Sequence, residues 1–319
     1  METAGTESGD ELDVPDALCD WLDEFCEPFE RELRVYKHES VSTGDVRPAR
    51  VDVEVAAGAD GWETLAAASL RDSGFCVLRG PLLVPAAAAA GCREYASSRL
   101  SKLMSLARDR GDDPRADRFT YGEVCSRTPG GRRLDMRLPH RLWERDDCPT
   151  AWGCLLASVD RWVRPVLEAS GLSTAGPSGV RVDSAGCVTA LPGAPLQHFH
   201  PDGTVQGLVN VFVPLVRVDA ANGSTELRPG THEWLHDAMG AREDWDERRG
   251  DVAAAPCLDP GELLLFDYRV MHRGRANATV EDRPVAYVVY ACRPGIGDVH
   301  NFPSNSWLCE TSRAELEGE

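Results

Sequence analysis

The chain has 319 residues, of which 42% are hydrophobic, enough for one large domain with a buried core. Its formal net charge of −18 argues against a nucleic-acid-binding protein, because a phosphate-binding surface needs positive charge. No stretch has the apolar length of a membrane span and no basic leader opens the chain, so we expect a cytoplasmic protein with no membrane partner. The eleven cysteines are scattered and form no C-x-x-C pair, so we expect reduced thiols.

The N-terminal half is predicted to be mainly helical. Residues 1–14 are acidic, and we expect them to form a disordered lead to the domain. Apolar residues at helical spacing predict helices over 15–34, 61–72, 84–108 and 150–170. Short strands are expected around 51–55 and 74–80, whereas the polar segment 109–148 is predicted to be rich in loops.

From about residue 179 the pattern changes to short apolar runs separated by turn residues. The runs are 180–182, 187–191, 196–200, 208–218, 225–227, 262–267 and 285–291. Many short strands at this spacing are typical of a β-sandwich or barrel. We therefore predict one mainly β domain over 15–319, in which a helical part over about 15–175 braces a β core over about 179–295, with a polar insertion at 235–258.

The first candidate metal ligands are a histidine and an aspartate two residues apart, His200 and Asp202. Residues i and i+2 of a strand share a face, so both side chains can reach one ion. His198 has the same parity and is an alternative ligand. A turn in which Asp202, beside Gly203, accepts hydrogen bonds from its own backbone is the non-metal interpretation.

A second candidate histidine, His272, ends an apolar run that leaves a Pro-Gly turn at 260–261. In a sandwich of paired strands it can lie beside His200 despite their separation, with His232 as the alternative. Two imidazoles and one carboxylate form the ligand set of non-haem iron(II) oxygenases. Arg283 opens the following strand, where a guanidinium can bind a carboxylate in bidentate fashion.

The combined pattern resembles the phytanoyl-CoA dioxygenase family of iron(II)- and 2-oxoglutarate-dependent oxygenases, over roughly residues 60–305. Four stretches carry the likeness: LPGAPLQHFHPDG at 191–203, VNVFVPL at 209–215, NGSTELRPGTH at 222–232, and FDYRVMHRG at 266–274 with Arg283. The resemblance implies a double-stranded β-helix, that is, a jelly-roll, cupin-like core, braced here by the N-terminal α-helices.

The resemblance also implies roles for individual residues. It assigns iron(II) to the two histidines and the aspartate, His200, Asp202 and His272. It assigns the distal carboxylate of 2-oxoglutarate to Arg283, and it puts Gln197 and Asn210 beside that co-substrate. The implied reaction uses dioxygen to hydroxylate, or otherwise oxidise, a C–H bond of a small molecule while 2-oxoglutarate becomes succinate.

Two other functions remain open from the sequence: a peptide or protein hydroxylase on the same scaffold, and a non-catalytic jelly-roll binding protein. The segments 109–148 and 235–258 are expected to form walls of the substrate pocket, because loops on a rigid scaffold usually carry specificity. An acyl-CoA substrate would need a basic rim, for which an arginine-rich stretch is the candidate: Arg127, Arg132, Arg133 and Arg137. The sequence does not indicate an oligomeric state.

Overall fold

A computed structural model of the chain describes residues 54–80, 83–112, 119–139, 141–146, 148–173, 179–233, 253–298, 302 and 306–309. All of these residues belong to one compact unit, Val46–Glu319. The predicted lead at 1–14, the predicted helix at 15–34 and most of the insertion at 235–258 lie outside the described residues, so the proposed extent of the domain over 15–319 stays a prediction.

Three of the predicted helices are confirmed: α1 is Trp62–Ser73, α2 is Ala86–Asp109 and α3 is Thr150–Ala169. Each buries one apolar stripe, as an amphipathic helix packed on a core should. In α3 the buried stripe is Trp152, Leu155, Leu156, Val159, Val163, Val166 and Leu167. Within the described residues, no helix is both long enough and apolar enough to cross a bilayer.

Eight strands form the main sheet: β1 Glu54–Ala56, β2 Phe75–Arg79, β3 Val124–Ser126, β4 Arg133–Arg137, β5 Arg181–Ala190, β6 Leu208–Pro214, β8 Leu263–Asp267 and β10 Arg283–Ala291. Across the sheet they lie in the order β1-β2-β8-β6-β10-β5-β4-β3. All neighbours pair antiparallel except β1 and β2. In the centre of the sheet, β8-β6-β10-β5, neighbouring strands are not consecutive in the chain. The chain therefore leaves the main sheet and returns to it between these strands.

A second, smaller sheet faces the main one. Its strands are β7 Thr225–Leu227 and β9 His272–Gly274, which pair antiparallel. Single bridges extend it, from His200 to His272 on one side and from Leu227 to Ala254 on the other. Successive segments of the core thus alternate between two sheets, which is the double-stranded β-helix or jelly-roll topology. The mainly β jelly-roll core with flanking helices is confirmed.

Side chains along β10 point alternately to the two faces of the main sheet, so they show what packs on each face. Ala286, Val288 and Tyr290 pack in the cluster that includes the helices. The alternate residues Val285, Tyr287 and Val289 pack in the interior clusters on the other face of the main sheet. Helices therefore cover one face of the main sheet, while its other face looks into the interior enclosed with the second sheet.

The predicted strand at 196–200 is not an extended strand in the structure. Only His200 makes a β-bridge there. Pro195 and Pro201 flank the segment and have no N–H to donate, so a regular ladder cannot form across it.

The apolar run from 261 does not reach His272 as one strand. It ends at Asp267, whose carboxylate accepts hydrogen bonds from the backbone N–H of Arg269 at 3.0 Å and from its guanidinium. The N–H of Val270 then donates to the Asp267 carbonyl at 2.9 Å, which closes a turn. His272 consequently begins a new strand in the opposite sheet.

The segment 109–148 contains the strands β3 and β4 in addition to loops. Strand β4 gives no apolar alternation in the sequence because Arg133, Asp135 and Arg137 occupy its interior face, while Leu134 and Met136 pack with the helices. The runs at 180–182 and 187–191 are one strand, β5, because β4 and β10 supply ladder partners for the polar and small residues between them.

Candidate metal centre

The two candidate histidines lie directly opposite each other on neighbouring segments of the second sheet. The N–H of His200 donates to the carbonyl of His272, and the N–H of His272 donates to the carbonyl of His200, both at 2.9 Å. Their ring centroids are 4.8 Å apart. The long sequence separation of the two residues is therefore bridged by the topology of the fold.

Asp202 completes the group. Its N–H donates to the carbonyl of Tyr268 at 3.0 Å, which holds the bend after His200 against the turn before His272. Its Oδ1 lies 3.6 Å from Nε2 of His272. One ligand atom from each of the three residues lies within 4.8 Å of the others, and this is the only His, Cys, Asp and Glu group able to hold a metal ion within the described parts of the chain.

Both imidazoles are oriented by backbone carbonyls two residues earlier. Nδ1 of His200 lies 2.8 Å from the carbonyl of His198, and Nδ1 of His272 lies 2.9 Å from that of Val270. A carbonyl only accepts, so each Nδ1 carries the proton and each Nε2 presents a lone pair. Burial, followed by the proximity of His272, lowers the pKa of His200 to about 4, which keeps this imidazole neutral near neutral pH.

The carboxylate of Asp202 is held by Asn210, whose Nδ2 donates to its Oδ2. Asn210 projects from β6 and is 4% exposed, so the amide is fixed by its strand. On the other side, the ring of Phe266 packs against His272 with centroids 4.8 Å apart. The carboxylate of Asp202 is thus held by a hydrogen bond from Asn210, and the imidazole of His272 packs against the apolar ring of Phe266.

The two alternative histidines lie elsewhere. The side chain of His198 is exposed, and only its carbonyl contributes to the site. His232 is buried with its Nε2 2.9 Å from the carbonyl of Arg71, so it holds its loop against α1. Neither belongs to the group of three.

Arg283 is the first residue of β10 and lies two positions before Val285, which packs in the interior. Residues two apart on a strand share a face, so Arg283 also lies on the interior face of the main sheet. It is 3% exposed, and its Nε has no hydrogen-bond partner. Burial, followed by the proximity of Arg133, lowers its pKa to about 9. The loop before it is held by buried Asn277, whose amide donates to the carbonyls of Ala190 and Glu281.

Gln197 lies beside the strand that carries His272. Its Oε1 accepts a hydrogen bond from the N–H of Gly274 at 3.0 Å, and its Nε2 lies 3.4 Å from the carbonyl of Arg127. Gln197 therefore ties together the two segments that contribute the histidines.

Two further groups lie near the interior: an ion pair between Arg127, just after β3, and Asp135 on β4, and the buried Arg133 on β4. Arg127 donates to the carboxylate of Asp135 through both Nε and Nη2, at 2.9 and 2.7 Å. Burial raises the pKa of Asp135 even though Arg127 counteracts it. Arg133 is 2% exposed whereas Arg132 is exposed, so the arginine-rich stretch is divided between the interior and the surface. The basic rim for a CoA substrate stays a prediction.

Comparison with known proteins gives weak but consistent likenesses. "Multifunctional dioxygenase ausE" of Aspergillus calidoustus is 27% identical over 129 residues, which are 36% of this chain and 43% of the relative. The chain thus spans less than half the length of the curated relatives it matches. Among solved structures, AviO1 from Streptomyces viridochromogenes Tue57 is 20% identical with a TM-score of 0.49, covering 73% of this chain and 96% of its own. EctD from S. alaskensis with bound Fe is 17% identical with a TM-score of 0.47, covering 80% of each chain.

A family model gives the decisive match. The model described as phytanoyl-CoA dioxygenase (PhyH) matches residues 70–285, more than half of the chain. The matched range begins in α1 and ends at the start of β10, so it includes the second sheet, most of the main sheet and the three residues of the candidate metal centre. The chain belongs to the phytanoyl-CoA dioxygenase (PhyH) family.

Proposed function

We propose that the chain is an iron(II)- and 2-oxoglutarate-dependent dioxygenase that oxidises a C–H bond of a small organic molecule. The observation that carries the proposal is the convergence of His200, Asp202 and His272 with both Nε2 lone pairs available. Two imidazoles and a carboxylate leave half of an octahedral coordination sphere open, as a bound co-substrate and dioxygen require. The donor set therefore fits iron(II).

In this proposal the three ligands bind the metal and their neighbours keep them in position. The backbone carbonyls behind each Nδ1 fix the rings, and Asn210 fixes the carboxylate of Asp202. Gln197 holds the chain just after His272. Gln197 and Asn210, expected beside the co-substrate, thus act by supporting the metal ligands.

Arg283 would bind the distal carboxylate of 2-oxoglutarate. Its guanidinium is buried on the interior face, and none of the ion pairs among the described residues includes it. A buried cation without a counter-ion is costly, and a bound carboxylate removes that cost. When bound, iron(II) and 2-oxoglutarate together supply the activation of dioxygen, and the chain supplies position and exclusion of water.

The substrate would lie against the polar side of the interior. Burial, followed by Asp298 and Asp202, raises the pKa of the Tyr268 phenol. Arg127 adds to the lowering of the His200 pKa, for which burial and His272 are the larger causes. The hydroxyl of Tyr268 donates to Asp298 at 2.6 Å, which fixes the ring. These side chains are suited to orient a small polar molecule beside the metal.

The test begins without oxygen. Iron(II) and 2-oxoglutarate are added to the protein, and the weak visible charge-transfer absorption of the chelate is recorded. The band should appear with the unaltered chain and disappear with His200→Ala. His198→Ala is the matched control, because its exposed side chain is two residues away, and it should retain the band.

Oxygen is then admitted, and succinate is measured with a panel of small molecules. Succinate release that rises with one class of molecule supports the proposal and identifies the class. Arg283→Gln should chiefly weaken 2-oxoglutarate binding. Absence of both the band and succinate from the unaltered chain would show that the protein is not such an oxygenase.

A further inference from the structure

The turn between β8 and β9, which carries the chain from the main sheet to His272, is closed by a buried ion pair. Its members are Asp267 and Arg269, which are 2% and 3% exposed. Oδ1 of Asp267 accepts from the backbone N–H of Arg269 at 3.0 Å and from its Nε at 2.8 Å, and Oδ2 accepts from its Nη2 at 2.8 Å. One carboxylate thus fixes both the backbone and the side chain of Arg269.

The ion pair lies on the opposite side of the main sheet from the candidate metal centre. Along β8, Asp267 has the parity of Leu265, which packs with the helices. Phe266 has the other parity and packs against His272 in the interior. Asp267 and Arg269 instead line a cavity of about 320 Å³ that also borders α1 and the residues just after α3. Any effect of the ion pair on the metal centre must therefore pass through the turn itself.

The backbone carbonyls of this turn hold two of the three candidate metal ligands. The carbonyl of Tyr268 accepts from the N–H of Asp202 at 3.0 Å. The carbonyl of Val270 lies 2.9 Å from Nδ1 of His272. Tyr268 and Val270 are the residues directly before and after Arg269. The directions of both carbonyls depend on the backbone dihedral angles of the turn, which the ion pair constrains through the N–H of Arg269.

We propose that Arg269 is a positioning residue of the metal centre: its ion pair with Asp267 sets the turn whose carbonyls orient Asp202 and His272. The inference rests on the proposed function, since it gives Arg269 a role toward the ion bound there. A neighbour that orients a metal ligand usually changes metal affinity about tenfold to a hundredfold. Loss of the Arg269 side chain should therefore weaken metal binding although no ligand is removed.

The competing interpretation makes the ion pair only a contribution to folding. Desolvation of two buried charges cancels much of their attraction, and apolar side chains of similar volume often stabilise a fold as well or better. The two interpretations differ when both charges are replaced together. A role in folding alone predicts normal metal binding by such a variant, whereas a positioning role predicts weakened binding.

The experiment uses cobalt(II) as the metal probe, because its visible ligand-field absorption reports both binding and the geometry of the ligands. Cobalt(II) is titrated into the full chain, and the stability of each metal-free variant is measured by urea denaturation. Arg269→Gln should weaken cobalt(II) binding about tenfold or more and alter the absorption band. Arg269→Lys keeps the charge but not the paired donors, so its affinity should lie between those of Arg269→Gln and the unaltered chain.

The deciding variant combines Asp267→Leu with Arg269→Met. It leaves no unpaired buried charge, so its stability should stay close to that of the unaltered chain. Its cobalt(II) affinity should nevertheless fall about tenfold, with an altered band, because the turn has lost the hydrogen bonds that set its carbonyls. If this variant does not fold, Arg269→Lys decides by comparison with the control below.

Arg79 provides the matched control, because it forms ion pairs of the same kind at the opposite end of the same two strands. β2 and β8 pair antiparallel, so Arg79 lies beside Glu262, to which it donates, and it also donates to Glu54 at 2.7 Å. Arg79→Gln and Arg79→Lys should lower stability but bind cobalt(II) as the unaltered chain does, since the length of β8 separates them from the turn.

Weaker cobalt(II) binding by the Arg269 variants, with normal binding by the Arg79 variants, supports the inference. Unchanged affinity and absorption in the Arg269 variants, or losses equal to those of the Arg79 variants, would overturn it and leave the proposed function intact. Failure of the unaltered chain to bind either cobalt(II) or iron(II) would instead overturn the proposed function.

Discussion

At the scale of single residues, the candidate centre depends on groups that do not bind the metal themselves. The carbonyls of His198 and Val270 select the tautomer of each imidazole, and Asn210 orients the carboxylate of Asp202. The sequence predicts His200, Asp202 and His272 as one group, and the structure brings their ligand atoms together. The role of Arg283 in binding the co-substrate stays a prediction. The family resemblance favours His272 over His232, and the fold supplies the physical reason: His272 pairs with His200 across the second sheet.

Replacing Asn210 by alanine should weaken iron(II) binding about tenfold to a hundredfold, the usual effect of losing a side chain that orients a ligand. The carboxylate of Asp202 would then lose the donor that fixes its direction. Anaerobic metal titration gives the affinity, and circular dichroism confirms that the fold is retained. Asn222→Ala, which alters a turn remote from the centre, should bind iron(II) normally; equal losses in both variants would contradict the role assigned to Asn210.

At the scale of elements, sequence periodicity predicts three helices and most core strands that the structure confirms. It fails where the interior is polar. The sequence does not predict strand β4, because its interior face carries Arg133 and Asp135, which are buried there and break the apolar alternation. The turn between β8 and β9 was missed because Asp267 and Arg269 form it through a local ion pair within an otherwise apolar run. Both departures occur where polar side chains are buried in an otherwise apolar interior.

The close packing of Arg133 on Gly274 can be tested by adding one carbon atom. Gly274→Ala would put a Cβ 2.4 Å from Nη1 of Arg133 and 2.7 Å from Oε1 of Gln197. We expect it to lower the free energy of unfolding by about 1–3 kcal/mol, the usual range for overpacking a filled interior.

The matched control for this substitution is Gly153→Ala in α3, where the nearest atom to the new Cβ is Sγ of Cys148 at 3.8 Å. Because alanine has the higher helix propensity, this variant should gain up to about 1 kcal/mol. Urea denaturation measures both changes. A neutral Gly274→Ala would mean that the space beside Arg133 is larger than described.

At the scale of the whole molecule, the burial of the described cysteines shows how tightly the sheets and helices pack against each other. Nine cysteines are free, and several lie in the core, including Cys76, Cys187 and Cys292. Burial raises the pKa of each of these three thiols to about 12. Because a raised pKa leaves less thiolate at a given pH, the buried thiols should be unreactive in the native protein.

A brief pulse of iodoacetamide at mildly alkaline pH should therefore modify the exposed Cys154 and Cys257 and spare the three buried thiols. With a pKa raised from 9.0 to about 12, the thiolate fraction of Cys76 falls about a thousandfold. Peptide mapping by mass spectrometry gives the extent at each site, and the same pulse in urea should modify all of them. Rapid native labelling of Cys187 would contradict the packing of β5 against the helices.

The central claim is that one iron(II) ion binds where the two sheets bring the histidines and the aspartate together. The most direct measurement is an anomalous difference map at the iron edge, from crystals grown with iron(II) and 2-oxoglutarate without oxygen. We expect one peak per chain, within bonding distance of Nε2 of His200, Nε2 of His272 and the carboxylate of Asp202. A peak at another group, or no peak at these three residues in crystals that contain bound iron, would contradict it.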